Sequence, residues 1–192
     1  MNKIVTIILG HPAKSSYCRS LAESYRDGAI SAGHEVHFLA LSDMKFDPIL
    51  HDGYHKEQIL EPDLQQAQEA IKISDHIVII YPLWIGMMPA LLKGFFERTF
   101  QRGFAYEEAK NPFGVGLLKG KSARVIITMG MPGWFFRWFY CAHSAKALKR
   151  NLLHFCEIKP VRFTYLGMVE AVSENERKKW LEDVRKLGSK AN

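Results

Sequence analysis

Short apolar runs alternate with amphipathic stretches along the whole chain, and this alternation predicts its secondary structure. Five of the runs have the length of strands, and the first of them is rich in β-branched residues, as buried strands are. They span residues 3–9, 34–41, 76–81, 123–129 and 160–166. We therefore expect five strands, separated by segments long enough to hold helices.

Helices are predicted between these strands, where apolar residues recur every three or four positions. Ser15 is expected to cap the first helix and Gly33 to end it. Residues 56–73 predict a weaker helix, and residues 89–100 a stronger one. A further helix carries apolar residues at Ala145, Leu148, Leu152 and Phe155, and the closing helix begins with the capping box at residues 173–176.

Strands that alternate with helices predict a parallel sheet, because parallel neighbours need a crossover connection. Five such strands with helices on both faces are typical of a doubly wound, flavodoxin-like α/β fold. The sequence contains no internal repeat, low-complexity tract or linker, so residues 1–192 are expected to form one such domain. In an open parallel sheet, ligands bind at the carboxyl ends of the strands, near the point where the strand order reverses.

Composition and charge narrow the function classes. Hydrophobic residues make up 47% and charged residues 24% of the 192 residues, as in ordinary globular proteins. The net charge of +6 does not favour nucleic acid as a partner, because the cations alternate with acids on helical faces. No apolar run approaches the ~20 residues that span a bilayer, and the first run is too short for a signal peptide. We expect a cytoplasmic protein.

The histidines and cysteines show no metal-ligand spacing. Cys18, Cys141 and Cys156 form no CxxC pair, and no HExxH motif is present. An odd number of widely spaced cysteines also argues against a disulfide framework. Neither metal catalysis nor disulfide bonding is expected.

The segment after the first predicted strand has the composition of an anion site. Residues 10–17 read GHPAKSSY and run into the start of a helix. Free backbone N–H groups and the helix dipole favour a phosphate there, and His11, Ser15 and Ser16 add side-chain donors. If Ser15 were only a helix cap, the segment would need fewer hydrogen-bond donors than it contains. Phosphate binding is therefore favoured.

The segments after the third and fourth strands offer complementary features. Pro82 fixes the backbone, and Trp84 presents a flat apolar surface suited to a planar ring. Gly130 and Gly133 let backbone N–H groups approach the polar edge of a heterocycle. Taken alone, the first segment is explained equally well by core packing, and the second better by a simple turn. Together, the three loops match a flavin mononucleotide better than a dinucleotide.

Several motifs resemble the flavodoxin-like NAD(P)H:quinone oxidoreductase family. That family includes bacterial quinone reductases and the ancillary flavoproteins of glutathione-gated potassium efflux systems. The strongest match lies within residues 75–106, where PLW is followed by PALLKGFFERTF and GFAY. His11 with residues 15–17, and the segment FDPI at residues 46–49, agree as well. The resemblance extends from the first strand to about Gly167.

The resemblance implies a homodimer with one flavin per subunit at the dimer interface. FMN is favoured because the chain is short, and FAD is the alternative. The expected cofactor-binding residues, including Ser16 and Gly133 from the loop analysis, are His11, Ser15, Ser16, Tyr17, Cys18, Pro82, Leu83, Trp84, Ile85, Thr128, Gly130 and Gly133. Phe104 and Tyr106 would line the pocket that nicotinamide and then quinone occupy.

The implied reaction is ping-pong hydride transfer from NAD(P)H to the flavin and then to a quinone or similar acceptor. A second possibility is a flavin-bound cytosolic regulatory subunit that docks on a membrane transporter of the potassium efflux type. A flavodoxin-like electron carrier is a third, which fits a net charge of +6 poorly. Animal quinone reductases carry a Tyr and a His where this chain has Phe136 and Ala142, so no catalytic residue is assigned.

Six of the seven residues from 134 to 140 are aromatic, too many for one buried helix face. Three interpretations stay open for this segment. It is a dimer interface or pocket lid, a membrane-facing patch, or partly ordinary core. The second is suggested by the cations at Arg137, Lys146, Lys149 and Arg150 and by the lipid solubility of quinones.

Overall fold

The predicted strands form one parallel sheet in the computed structural model, which describes residues 2–53, 55–56, 58–107 and 114–192. In chain order the strands are β1 (Ile4–Leu9), β2 (Glu35–Ala40), β3 (His76–Pro82), β4 (Tyr106–Glu107), β5 (Val115–Gly116), β6 (Ser122–Thr128) and β7 (Val161–Leu166). The sheet runs β2-β1-β3-β6-β7, and β4 with β5 forms a separate antiparallel ribbon. The doubly wound α/β fold is thereby confirmed.

The helices described are α1 (Tyr17–Ser31), α2 (Pro62–Ile73), α3 (Ala90–Thr99), α4 (Gly133–Trp138), α5 (His143–Ala147) and α6 (Glu174–Lys190). The cap predicted for α1 was wrong by one residue, because Ser16 holds the extended backbone of a cap and its Oγ accepts from the Arg19 N–H at 3.2 Å. The start predicted for α2 was also too early. Pro62 is favoured in the first turn of a helix and lacks the N–H that would continue a helix from before it.

The chain between β6 and β7 departs most from its prediction. Cys141 and Ala142 adopt the left-handed conformation, with φ of 51° and 47°, and so separate α4 from α5. The turn that follows α5 is a π-helix over Leu148–Leu153. The helix predicted here is present as α5 continued by this π-helix, with Ala145 and Leu148 buried as predicted, but it ends at Leu153, before Phe155.

Buried residues of β3 reach both faces of the sheet, which is why its sequence reads as one continuous apolar run. Ile77 and Ile79 pack in a cluster with residues of α2 and α3. Val78 and Ile80 pack in a second cluster with residues of α1 and α6. The helices therefore cover both faces of the sheet and leave its carboxyl edge to the loops.

Hydrogen bonds beyond the strand ends hold the loops at this edge in register. The Gly10 N–H donates to the Ile80 carbonyl at 2.8 Å, directly after β1. The Leu83 N–H donates to the Thr128 carbonyl at 2.7 Å, and the Met129 N–H to the Leu166 carbonyl at 2.9 Å. The starts of the loops after β1, β3 and β6 are therefore fixed by backbone contacts and not by side-chain packing alone.

Arg98 holds the segment around residue 47 in contact with α3. Its guanidinium is fully buried and donates to Glu61 Oε2 at 2.9 Å and to the carbonyl of Asp47. Gly94 faces the same segment, since a Cβ there would lie 2.4 Å from the Pro48 carbonyl oxygen. The ion pair and the missing side chain at residue 94 allow Asp47, Pro48 and Glu61 to lie directly against α3.

Two glycines allow α1 and α6 to cross with their backbones in contact. A Cβ on Gly28 would lie 2.0 Å from the Arg185 carbonyl oxygen, and one on Gly188 would lie 2.1 Å from the Tyr25 carbonyl oxygen. The same crossing brings the hydroxyl of Tyr17 to the carbonyl of Arg177, at 3.0 Å. The two helices are therefore in contact at both ends, through the glycines near their carboxyl ends and through Tyr17 and Arg177 in their first turns.

We predict that Gly28→Ala lowers the free energy of unfolding by about 1–3 kcal/mol, because the added methyl group forces two backbones apart. The loss should appear even though alanine favours a helix by about 1 kcal/mol over glycine. Chemical denaturation measures it. Ser20→Ala, at an exposed position of the same helix, is the control and should change the stability little. Equal stability of Gly28→Ala and the wild type would contradict the close contact.

Candidate functional site

A cavity of about 400 Å³ opens at the carboxyl edge of the sheet. Its size falls within the ~300–1,000 Å³ range of small-molecule sites, and its position is the one expected for ligands of doubly wound sheets. The loops after β1, β3, β6 and β7 contribute its walls. The lining residues are His11, Tyr17, Cys18, Pro82, Leu83, Trp84, Thr128, Met129, Gly130, Val169, Glu170 and Arg177.

The first wall carries backbone donors at the start of α1. Among the residues that the structure describes, the N–H groups of Ser15, Ser16, Tyr17 and Cys18 donate to no protein acceptor. They lie in or just before the first turn of a 15-residue helix, where the helix dipole favours a negative charge. Ser15 and Ser16 themselves are not among the lining residues of the cavity. This end of the site is suited to a phosphate bound largely by backbone.

His11 is arranged as a neutral hydrogen-bond donor. Its Nδ1 accepts from the Ala13 N–H at 3.0 Å, so the ring proton lies on Nε2. Burial lowers the pKa of His11 below its usual range, which keeps the ring neutral near pH 7. The imidazole meets the indole of Trp84 nearly edge-on, with ring centroids 5.3 Å apart. This contact joins the first loop to the second.

Burial keeps the Tyr17 hydroxyl and the Cys18 thiol of the first wall protonated. The Tyr17 hydroxyl donates to the Arg177 carbonyl, and burial raises its pKa to about 12. The Cys18 sulfur lies 3.3 Å from Thr128 Oγ1, and burial raises the pKa of this thiol to about 11. A thiol that stays protonated is a poor nucleophile. Cys18 is therefore a packing and hydrogen-bonding residue of the wall.

The second wall is a rigid turn at the end of β3. The Trp84 N–H donates to the Met87 carbonyl and the Met87 N–H to the Trp84 carbonyl, both at 2.9 Å. Ile85 and Gly86 complete the turn with φ of 50° and 74°. A β-branched residue in this region costs on the order of 1–3 kcal/mol, and such strain concentrates at functional sites. The indole of Trp84 is 45% exposed and forms an apolar face of the cavity.

The third wall leaves open space over Gly130. A Cβ there would meet no atom within 4 Å, and its N–H has no acceptor among the described residues. The polar edge of a heterocycle could approach this backbone directly. Gly133 lies elsewhere, at the start of α4, where Gly167 packs so closely that a Cβ on Gly167 would lie 2.4 Å from the Gly133 nitrogen.

Several residues predicted for the site lie outside the cavity. Ile85 is fully exposed at the tip of its turn. Phe104 lines a separate cleft of about 730 Å³. The ring of Tyr106, in the β4 ribbon, lies 5.2 Å from that of Phe155. Within one chain, the structure therefore does not bring Phe104 and Tyr106 together with the three loops.

The loop after β7 and the start of α6 form a fourth wall that sequence reasoning missed. Val169, Glu170 and Arg177 line the cavity there. The Arg177 Nε is buried and has no acceptor among the described residues, while its Nη2 donates to the Glu170 carbonyl at 3.3 Å. Arg177 lies beside the start of α1, since its carbonyl accepts from the Tyr17 hydroxyl and both residues line the cavity. The switch-point argument already applied to β1, β3 and β6 would have found this loop, since β7 ends at the same edge.

Two further searches cover only the described part of the chain. No group of three or more His, Cys, Asp or Glu side chains is placed to hold a metal ion there. No helix in that part is long and apolar enough to cross a membrane.

The thiol environments predict one reactive cysteine in the native protein. Cys141 is exposed, whereas Cys18 and Cys156 are buried with thiol pKa values raised by burial to about 11 and about 12. A disulfide reagent at pH 8 should therefore titrate one thiol per native chain and three after unfolding. In the control Cys141→Ser, fast labelling should disappear. Fast native labelling of that variant would show that Cys18 or Cys156 is accessible and ionised.

Comparison with known proteins agrees with the fold described above. A family model described as flavodoxin-like fold matches residues 3–187. A protein of Haemophilus influenzae (strain Rd), named an uncharacterized NAD(P)H oxidoreductase, is 33% identical over 92% of this chain and 89% of its own length. Among solved structures, Smu.1420 from Streptococcus mutans UA159 is 32% identical with a TM-score of 0.84, covering 97% of this chain and 98% of that one.

An NAD(P)H:quinone oxidoreductase from Methanothermobacter marburgensis superposes equally well. Its TM-score is also 0.84, with 26% identity over 98% of this chain and 96% of that one. The family match, the relatives and the solved structures agree on the fold. The chain belongs to the flavodoxin-like family that includes NAD(P)H oxidoreductases and quinone reductases.

Proposed function

We propose that the protein is a flavin-dependent NAD(P)H:quinone oxidoreductase that works by a ping-pong mechanism with two-electron transfer. The observation that carries the proposal is the four-walled cavity of about 400 Å³. It combines unpaired N–H groups at the start of α1, the exposed indole of Trp84 and the open backbone at Gly130. An anion site, an apolar plate and a polar backbone edge are the three features that a flavin nucleotide requires.

The residues present fit such a cofactor. The N–H groups of residues 15–18 would bind its phosphate, with the Nε2–H of His11 and the guanidinium of Arg177 nearby as further donors. Trp84, with Pro82 and Leu83, would support the ring, and Gly130 would donate to its polar edge. FMN suits the size of the cavity. FAD would need additional surface beyond Arg177 for its adenosine half.

A bound flavin supplies hydride chemistry that no side chain of the cavity offers. The protein contributes binding, orientation and the exclusion of water, since Leu83 and Thr128 are buried and Trp84 shields one side. Phe136 and Ala142 are buried and hold no titratable group, so proton transfer is not assigned to them. Oxidation of NAD(P)H and reduction of the acceptor would take place in turn at the same open face.

A homodimer would complete the site. Phe104 and Tyr106 lie away from the cavity of their own chain, in the cleft and ribbon beyond α3. Their aromatic rings suit stacking on nicotinamide or quinone. We propose that each subunit contributes them to the cavity of its partner, in a cytoplasmic dimer.

The cofactor released from purified protein tests the proposal. We expect a yellow protein that releases FMN, identified by chromatography and by one phosphate per flavin, and that oxidises NAD(P)H when a quinone is supplied. Assays with NADH and NADPH separately would establish the preferred donor. A colourless protein that takes up neither FMN nor FAD would overturn the assignment.

We predict that Trp84→Ala weakens flavin binding about tenfold, because it removes the apolar plate and its contact with His11. Titration of apoprotein with FMN, followed by flavin fluorescence, measures the change. Trp138→Ala removes another exposed tryptophan that does not line the cavity and is the matched control. Equal loss of affinity in both variants would mean that the ring binds elsewhere.

A further inference from the structure

His76 is a fully buried histidine at the amino edge of the sheet, opposite the edge that carries the cavity. It is the first residue of β3 and lies on the same face as Val78, which packs with residues of α1 and α6. Its Nδ1 lies 2.8 Å from Ser122 Oγ, and its Nε2 is buried with no partner among the described residues. The imidazole is therefore enclosed without access to water.

The groups around His76 come from all the neighbouring strands and from α1, and most of them are cationic. Tyr25 of α1 stacks on the imidazole, with ring centroids 6.4 Å apart and an interplanar angle of 19°. The charged or titratable neighbours are Lys3 beside β1, His34 beside β2, Asp75 beside β3, Arg124 in β6 and Arg162 in β7. The Asp75 carboxylate accepts from the Ile4 N–H at 2.8 Å. We call His76, Tyr25 and these five neighbours the amino-edge cluster.

The amino-edge cluster holds the carboxyl end of α6. Three of its side chains contact backbone oxygens there: Lys3 donates to the Ala191 carbonyl at 2.7 Å, His34 Nε2 lies 3.3 Å from the Ser189 carbonyl, and Arg124 donates to the backbone oxygen of Asn192. Gly188 of α6 also packs on the backbone of Tyr25, whose carbonyl oxygen would lie 2.1 Å from a Cβ at that position. The residues that surround His76 are therefore the residues that fix this helix to the sheet.

A proton on His76 would act against these contacts. Burial and then the positive charges of the cluster lower the pKa of His76 from 6.5 to about 3. A charged imidazole would carry an Nε2–H with no acceptor in the described part of the chain, beside cations that repel it. Release of the carboxyl end of α6 would admit water to the ring and remove this penalty. Acid therefore favours the released arrangement.

The helix α6 connects the amino-edge cluster to the cavity. Its first turn carries Arg177, which lines the cavity and whose carbonyl accepts from the Tyr17 hydroxyl. We propose that the amino-edge cluster is an acid-sensitive switch, in which protonation of His76 releases α6 and the cavity wall that this helix carries. The effect on a bound flavin rests on the proposed function, whereas the release of the helix does not.

The switch responds to pH below the ordinary pKa of a histidine. Above about pH 6.5, His76 is neutral whether α6 is docked or released, and the docked state keeps its full stability. Below that pH, the released state binds a proton that the docked state excludes, until the pH approaches 3. Each pH unit in this window shifts the equilibrium constant by up to about tenfold toward release. The released population should therefore rise on the order of tenfold between pH 7 and pH 5.

Hydrogen exchange measures the release of the helix. After correction for the chemical exchange rate, peptides from the second half of α6 should lose about tenfold in protection between pH 7 and pH 5. Peptides from α3 are the internal control and should keep their protection, because α3 packs on the opposite face of the sheet. Equal losses in α3 and α6 would mean that the whole fold opens, and would overturn the proposal.

Substitution of His76 tests the assignment to this histidine. His76→Phe keeps a ring on Tyr25 and binds no proton, so the loss of protection in α6 on acidification should disappear. His76→Gln is also neutral at every pH and should respond in the same way. Two controls, His34→Gln in the cluster and His51→Gln at an exposed ion pair with Asp47, should keep the acid response. An unchanged response in both His76 variants, or its loss in His34→Gln alone, would overturn the proposal.

The effect on the cofactor is measured separately, as the rate at which FMN leaves the protein. Between pH 7 and pH 5 this rate should rise on the order of tenfold in the wild type and by a smaller factor in His76→Phe, because only the wild type releases the wall that contains Arg177. Equal factors in the two proteins would show that α6 does not control the cavity. A protein that binds no flavin would refute the proposed function instead, and the exchange experiment would still decide whether the switch exists.

Discussion

The parallel register of β1, β3 and β6 is the constraint on which the site depends. Each strand is hydrogen-bonded to its neighbour up to its last residue, and the bonds continue from Gly10 to Ile80 and from Leu83 to Thr128. Three loops that are distant in sequence therefore start from one line at the carboxyl edge. Because the strand order reverses beside β1, helices leave on opposite faces and a crevice stays open between the loops.

Packing away from the edge determines the shape of that crevice. The starts of α1 and α6 meet through the hydrogen bond from the Tyr17 hydroxyl to the Arg177 carbonyl, so the first and fourth walls adjoin. The strained turn at Ile85 and Gly86 holds Trp84 at another. The left-handed backbone of the β-branched Ile85 lowers the local stability. In return, the indole of Trp84 is held in a fixed position beside the open backbone at Gly130.

The cavity and the exposed aromatic side chains of α4 lie at one end of the molecule. The loop after β6 leads from Gly130, which faces the cavity, into the helix that exposes Trp134 and Trp138. The backbone donors of α1 and Arg177 lie at the end proposed for a phosphate, and the exposed aromatic rings of α4 lie toward His143 and the turn. The polar groups and the exposed aromatic rings therefore lie at different ends of one site.

The sequence by itself determined the strands, most helices and the three loops. Buried strands and amphipathic helices have periodic patterns of apolar residues, and these patterns involve only residues that are close in sequence. It also identified the family, through motifs such as those around Trp84 and Gly94. Only the tertiary structure decided that Arg177 and Val169 line the cavity and that Phe104 and Tyr106 do not. Those facts depend on which distant segments meet across the sheet and how fully they exclude water, and no local pattern of residues records either.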